Sequence, residues 1–195
     1  DFNQQYNYLY MLMARKNLDQ PLNEPKNKLI KFNEQIASKY RAGLSLKYLD
    51  SYLGNDIVHK TIKEYIQENQ YFGTNSRQFE TVLLKNSPKD INWFFRTVIE
   101  TRDLIDYKFG KVTKTDDSLS VNIINKTGTN VPISLYHMKD DKVVHKSWIT
   151  NITSDSTIVI PRFDADKLTL NYYNEVPEYN LRNNWKSLKG FFFNN

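Results

Sequence analysis

The spacing of apolar residues changes period once along the chain, near residue 107, and this change limits the possible folds more than any other feature. Before it, apolar side chains recur every three to four residues. After it they alternate with polar ones, with β-branched residues between turn-forming clusters. Helices followed by strands imply an α+β chain built as two units. The expected order is an N-terminal helical lobe of about five helices and then a small antiparallel β-sandwich. The expected boundaries are 1–108 for the lobe, 109–173 for the sandwich and 174–195 for an irregular tether.

The first helix is expected over Phe2–Asn17, with Tyr6, Leu9, Tyr10 and Met13 on one face, and Pro21 and Pro25 close the segment after it. A second runs from about Asn33 to Leu53. Its two apolar stripes are Ala42, Leu46, Leu49 and Leu53, and Leu44, Tyr48 and Tyr52. Gly54 suits a left-handed cap at its end. Asn55 or Asp56 can open a third helix that turns Val58, Ile62, Tyr65 and Ile66 inward. Tyr71-Phe72-Gly73-Thr74 breaks the pattern. A fourth helix spans about Ser76–Lys85, with Phe79, Val82 and Leu83 inward. Ser87, Pro88 and Asp90 read as the start of a fifth, which buries Ile91, Phe94, Phe95, Val98 and Ile99. Beyond Tyr107, strands are expected around Leu119–Ile123, Val131–Leu135, Val143–Ile149, Thr157–Ile160 and Leu168–Tyr172. Turns fall at Thr127–Asn130, Asp140-Asp141, Ser154-Asp155 and Asp164–Asp166.

Composition removes several functions. The 195 residues contain no cysteine, so disulfides, cysteine zinc sites and thiol catalysis are excluded. A net charge of +5 comes from 27 basic residues mixed with 22 acidic ones, with no basic arm, so nucleic acid is not an expected partner. No apolar run approaches the ~20 residues of a membrane span. The chain starts at Asp1 and ends on Phe191-Phe192-Phe193-Asn194-Asn195, and we expect it to be part of a longer protein.

Motifs for chemistry are sparse. G-x-S-x-G, S-x-x-K, P-loop and G-x-G-x-x-G patterns are all missing. His59 has no histidine one helical turn away. His137 and His145 flank the Asp140-Asp141 turn. With a two-residue loop, His137 opposes Val144 and His145 points to the other face, so the pair is not expected to bind a metal. Asp116-Asp117 and Asp140-Asp141 read as turn residues. Asn125-Lys126-Thr127 and Asn151-Ile152-Thr153 match the short glycosylation pattern.

One stretch carries more. Residues 40–54 read Tyr40-Arg41-Ala42-Gly43-Leu44-Ser45-Leu46-Lys47-Tyr48-Leu49-Asp50-Ser51-Tyr52-Leu53-Gly54. There follow Tyr65-Ile66-Gln67-Glu68-Asn69, then Gln78-Phe79-Glu80 after Thr74, then Ser87 to Phe95 with Asp90, Trp93, Phe94 and Phe95. This ordered set resembles the Tyr-x-x-Gly helix and following helices of the gluzincin zinc aminopeptidases, the alanyl aminopeptidase type, over about residues 1–108. Ala42 stands where that family often carries a basic residue. The β-unit, rich in Asn, Lys and Tyr, gives the chain a narrower resemblance to large aminopeptidase-like proteins of Bacteroidetes-type bacteria.

The resemblance implies the C-terminal part of a thermolysin-like catalytic domain followed by a small β-sandwich. It implies zinc in the parent protein, held by an H-E-x-x-H helix and a further Glu upstream. This chain contains no H-E-x-x-H, so the fragment is expected to hold no metal and to be inactive alone. Its partner is a peptide substrate, met through that upstream domain, and its setting is a bacterial cell envelope or periplasm. Tyr40 takes the role of hydrogen-bond donor to the oxyanion. Without the resemblance, Tyr40 is an ordinary aromatic on an amphipathic helix. The other class open to such a chain is a non-catalytic surface module whose β-sandwich binds a glycan or a protein.

Overall fold

The computed structural model describes residues 2–34, 38–71, 73 and 75–189. Phe72, Thr74 and the aromatic end Gly190–Asn195 lie outside the described residues. So do residues 35–37, within the stretch where the second helix was expected to begin. Among the described residues, a helical region of five helices is followed by strands in a sandwich-like arrangement. It divides into two compact units, one of residues 20–102, the other of 1–19 with 103–195.

In the unit of residues 20–102, residues 31–34 are helical. The main helices are α2 (Ser38–Leu53), α3 (Ile57–Asn69) and α4 (Ser76–Asn86), followed by a short π-helical segment, Phe94–Ile99. Leu44, Tyr48, Leu49, Tyr52 and Leu53 of α2 are buried with Val58, Leu83, Ile91, Phe94, Phe95 and Val98. Gly54 ends α2 at φ +69°, the left-handed geometry expected of it. Asp56 precedes α3 but its side chain makes no cap hydrogen bond. The buried stripe of α3 runs through Val58 and Thr61, and Ile66, expected inside, is 58% exposed. The cap of α4 is Asn75. Its Oδ1 accepts the Gln78 N–H (2.9 Å), while Gln78 Oε1 accepts the Asn75 N–H (3.2 Å), a capping box.

The fifth helix begins later than its sequence signals suggest. Ser87 is the C-cap of α4, and residues 88–91 after it are not helical, so it does not open the next helix. Asp90 does that, its Oδ1 accepting the Asn92 N–H at 2.9 Å. The Glu100 N–H then bonds five residues back to the Phe95 carbonyl (3.0 Å). The wider π turn lets Phe94, Phe95 and Val98 all face the core.

Among the described residues, the other unit holds α1 (Phe2–Arg15) and seven strands: β1 (Tyr107–Lys114), β2 (Ser118–Asn125), β3 (Ile133–Lys139), β4 (Lys142–Ile149), β5 (Ser156–Pro161), β6 (Lys167–Leu170) and β7 (Trp185–Ser187). They form two antiparallel sheets, β1-β2-β5 and β4-β3-β6-β7. In β2 every second residue is buried, the alternation seen in the sequence. Val112, Leu119, Val121 and Ile123 of one sheet and Ile133, Leu135, Leu168 and Leu170 of the other supply the core. The Tyr107 hydroxyl, fully buried, lies 2.9 Å from the carbonyls of both Thr129 and Val131.

This grouping differs from the sequence boundaries of 1–108, 109–173 and 174–195. The first helix belongs with the strands because its polar groups bond there. Asn7 Nδ2 donates to the Asn174 carbonyl (3.4 Å) and Arg15 to the Tyr179 carbonyl (3.1 Å). Residues 174–189 are no tether. They supply β7 and bury Glu175, Val176 and Glu178.

Candidate functional site

Tyr40 is the third residue of α2 and is half-buried. It continues, one turn back, the stripe of Leu44 and Tyr48, and Tyr48 is fully buried. The helix around it is held by its neighbour. The Arg41 guanidinium, 7% exposed, donates to the Val98 carbonyl (3.2 Å), to the Thr101 carbonyl and to the Gln20 carbonyl. Val98 and Thr101 stand at the C-terminal end of the π-helical segment, where carbonyls lack helical partners and a cation is favoured. Arg41 thus ties the first turn of α2 to two other segments of its unit.

Beside this turn lies a groove of about 590 Å³. Lys39, Ala42 and Leu46 form its α2 wall, one stripe of the helix. Phe79, Phe94 and Phe95 make its apolar floor, and Glu24, Glu80 and Glu100 stand among its polar residues. Glu80 and Glu100 both accept from Arg96, which leaves the groove's acidic side partly neutralised. The described residues lining the groove do not include Tyr40. At 100° per residue it stands about a third of a turn round the helix from the middle of the Lys39–Ala42–Leu46 wall. Such a groove can take an apolar side chain with a polar group at its edge.

Trp93 packs against Tyr48 (ring centroids 4.8 Å), Tyr52 (5.4 Å) and Phe94 (5.9 Å). Lys89 lies over Tyr52 at 4.6 Å and donates to its carbonyl. Burial and the charge of Asp90 raise the Tyr52 phenol above its ordinary value.

The histidines are placed as follows. His59 is exposed on α3. The Asp140-Asp141 loop has two residues, both left-handed (φ 47° and 60°), as the sequence indicates. His137 nevertheless pairs with His145 instead of Val144, because Met138 pairs with Val143 and Val144 is the extra residue of a bulge. The bulge turns His145 to the face of His137, with ring centroids 5.5 Å apart, and Phe163 stacks on His145 at 4.0 Å. His137 is 1% exposed. Burial, with His145 adding its charge, pushes it down to about 4. Among the described residues no three His, Asp or Glu side chains gather as a bound metal requires. Asn125 is buried, its amide donating to the Thr129 and Ile152 carbonyls, so that glycosylation pattern is closed. No helix among the described residues is long and apolar enough to cross a membrane.

Two polar residues with large structural roles escaped the sequence reading. Arg41 had a signal, since it falls on the buried stripe of α2 one turn before Leu44 and Ser45. Glu178, fully buried in an irregular stretch, had none. Its Oε1 accepts the Tyr107 N–H (3.0 Å), and its Oε2 accepts the side-chain amides of Asn171 (3.0 Å) and Asn184 (2.5 Å).

No protein-family model and no curated protein sequence matches this chain. Among solved structures, the chain is similar to the crystal structure of Legionella pneumophila aminopeptidase A in complex with aspartic acid. The TM-score is 0.57 at 11% identity, over 73% of this chain. The similarity covers 17% of that aminopeptidase's length, and at this identity it establishes a shared fold.

Proposed function

We propose that this chain is the C-terminal part of a zinc metallopeptidase of the gluzincin aminopeptidase kind, and that Tyr40 acts in peptide-bond hydrolysis. The observation that carries the reading is the backbone likeness to an aminopeptidase over 73% of the chain. The ordered segments from Tyr40–Gly54 to Ser87–Phe95 support it independently. The groove lined by Lys39, Ala42 and Leu46 adds a concave, largely apolar surface on the same helix, of a size for peptide side chains.

In such enzymes zinc polarises the scissile carbonyl and activates water. The residues described here do not form a site for it, and the proposal assigns its ligands to an upstream part of the parent protein. What this chain contributes is a proton donor. As water adds to the peptide carbon, negative charge grows on the carbonyl oxygen. A phenol, with an ordinary pKa near 10, keeps its proton at neutral pH and donates a hydrogen bond to that oxygen. Arg41 holds the first helical turn in place, so the donor meets the developing charge with little reorganisation. The substrate is a peptide, and nucleic acid has no part. The resemblance to large Bacteroidetes-type proteins supports a bacterial envelope or periplasmic setting.

The test is on the parent protein, comparing wild type with Tyr40→Phe for zinc content and aminopeptidase turnover. Loss of one oxyanion donor lowers turnover about a hundredfold to a thousandfold while zinc stays bound. A parent without zinc, or a Tyr40→Phe variant of unchanged turnover, refutes the assignment.

A further inference from the structure

The outer face of the β4-β3-β6-β7 sheet carries an aromatic surface that the peptidase reading does not use. Cross-strand register places Lys146, Tyr136, Thr169 and Trp185 in one row. Side chains of such a row share a face. After β6 the chain turns through Asn171-Tyr172-Tyr173-Asn174. Both rings lie against Tyr136, at 5.8 Å for Tyr172 and 5.4 Å for Tyr173, and 4.8 Å from each other. Tyr172 is 40% exposed, Tyr173 58% and Trp185 60%.

The turn is rigid, and its rigidity does not depend on these rings. Asn171 and Asn174 take the left-handed conformation (φ 51° and 54°) that the turn requires. Asn171 is 2% exposed. Its N–H donates to the Ser134 carbonyl (2.8 Å), its amide to the Val176 carbonyl (2.7 Å), and its Oδ1 accepts the Val176 N–H (2.9 Å). Beneath the rings the Tyr136 hydroxyl donates to Glu175 Oε2 (2.6 Å), and Lys146 donates to the other oxygen of the same carboxylate. Lys146 also lies 5.2 Å from the Trp148 ring. Two tyrosines stand between these asparagines, on a backbone that the Asn171 hydrogen bonds fix, and both keep much of their surface in water.

We infer that this face, centred on Tyr172 and Tyr173 and extending toward Trp185, is a binding site for the pyranose rings of a neutral glycan. A sugar ring has an apolar C–H face and a polar hydroxyl edge. It matches an aromatic plane with hydroxyl groups at its rim. The charge on the surface agrees with a neutral ligand. Lys146, the cation in this row, is matched by Glu175. The exposed area agrees too. Three rings of about 200 Å² each, roughly half exposed, offer ~300 Å², well under the ~800 Å² per partner of a standard protein interface. The fixed turn means that little ordering opposes binding. This inference does not rest on the peptidase reading.

The test uses the full 195-residue chain on an array of neutral oligosaccharides (cellohexaose, maltohexaose, xylohexaose and mannohexaose), with tryptophan fluorescence titration of any that is retained. At least one is expected to bind. Tyr172→Ala and Tyr173→Ala should each weaken it about tenfold or more, the loss of one stacked ring. Tyr173→Phe should bind nearly as wild type, which separates a lost ring from a disturbed fold. Raising the salt should leave affinity unchanged. The inference is overturned by no retention of any neutral probe, by binding that the alanine variants leave intact, or by binding that rising salt abolishes.

Discussion

Replacing Glu178 by glutamine sets two opposed effects against each other inside the β unit. Three N–H donors converge on its carboxyl group, and each favours the ionised form. Complete removal from water favours the protonated form, and the charge of Asp106 adds to it. Burial prevails, and the group is pushed up from its ordinary value of 4.5 to about 8. The folded state therefore holds a proton that the unfolded chain releases between those values. This contribution to stability is full below the unfolded value and is lost as pH rises through the folded one. Linkage puts the loss between pH 6 and pH 9 at about 2.5 kcal/mol. Glutamine does not titrate. It also turns one amide N–H toward another donor, a cost of about 1–3 kcal/mol that does not vary with pH. The slope of the difference, rather than its level, is the decisive quantity. Urea unfolding of wild type and Glu178→Gln, both with Trp93→Phe, gives fluorescence from the β unit alone, since Trp148 and Trp185 lie there. The stability of the variant relative to wild type should rise by about 2.5 kcal/mol from pH 6 to pH 9. A flat difference would mean that the three donors outweigh burial and that the buried carboxylate is ionised throughout.

Three further outcomes follow from the same geometry. His137, held near 4 by burial and His145, supplies stability above its ordinary 6.5 that is lost as pH falls through 4, so His137→Phe should flatten the acid limb of an unfolding-versus-pH curve. A Cβ at Gly110 would stand 2.0 Å from Asn122 Oδ1. Gly110→Ala should therefore cost about 1–2 kcal/mol in thermal unfolding, as Asn122 swings away from Ser156 and Thr157, and much less when Asn122 is already alanine. Asn75→Ala removes one half of the α4 capping box and should destabilise the helical unit by about 1 kcal/mol, read by circular dichroism.

The period of the sequence carried most of the architecture because burial is local to each element. Leu119, Val121 and Ile123 alternate in the sequence and are all fully buried in β2. The stripe of α2 is legible for the same reason. Features that depend on distant partners were not legible. Lys167–Leu170 has alternating residues, but its neighbour β7 is a three-residue strand in a polar stretch, and nothing near Trp185 signals that it pairs with Thr169. The start of the fifth helix failed differently. Ser87-Pro88-Lys89-Asp90 contains two cap residues, and local preference alone does not say which one the chain uses. The chain uses Asp90, because residues 88–91 stay non-helical and the helix resumes at Asn92.

The two candidate sites differ in how far sequence could reach them, and register explains the difference. A period-two reading assigns every strand residue to a face only while the ladder is unbroken. One extra residue at Val144 reverses the assignment of His145 and brings it opposite His137. Tyr136, Thr169 and Trp185 share a face only because three strands meet in a register set by side chains far apart in sequence. The helical site has no such dependence. Tyr40, Arg41 and Ala42 are neighbours on one turn, so their directions follow from 100° steps, and the split between Arg41 inside and Lys39, Ala42 and Leu46 at the groove could have been drawn beforehand. What the helix cannot supply is the substrate side of the reaction, and this makes Tyr40→Phe decisive only in the parent protein. Within this chain the informative substitution is Arg41→Ala. It should loosen the first turn of α2 and the end of the π-helical segment together, seen as faster amide exchange at Val98 to Thr101 and at Tyr40. Unchanged exchange at both segments would show that the guanidinium is not what positions Tyr40.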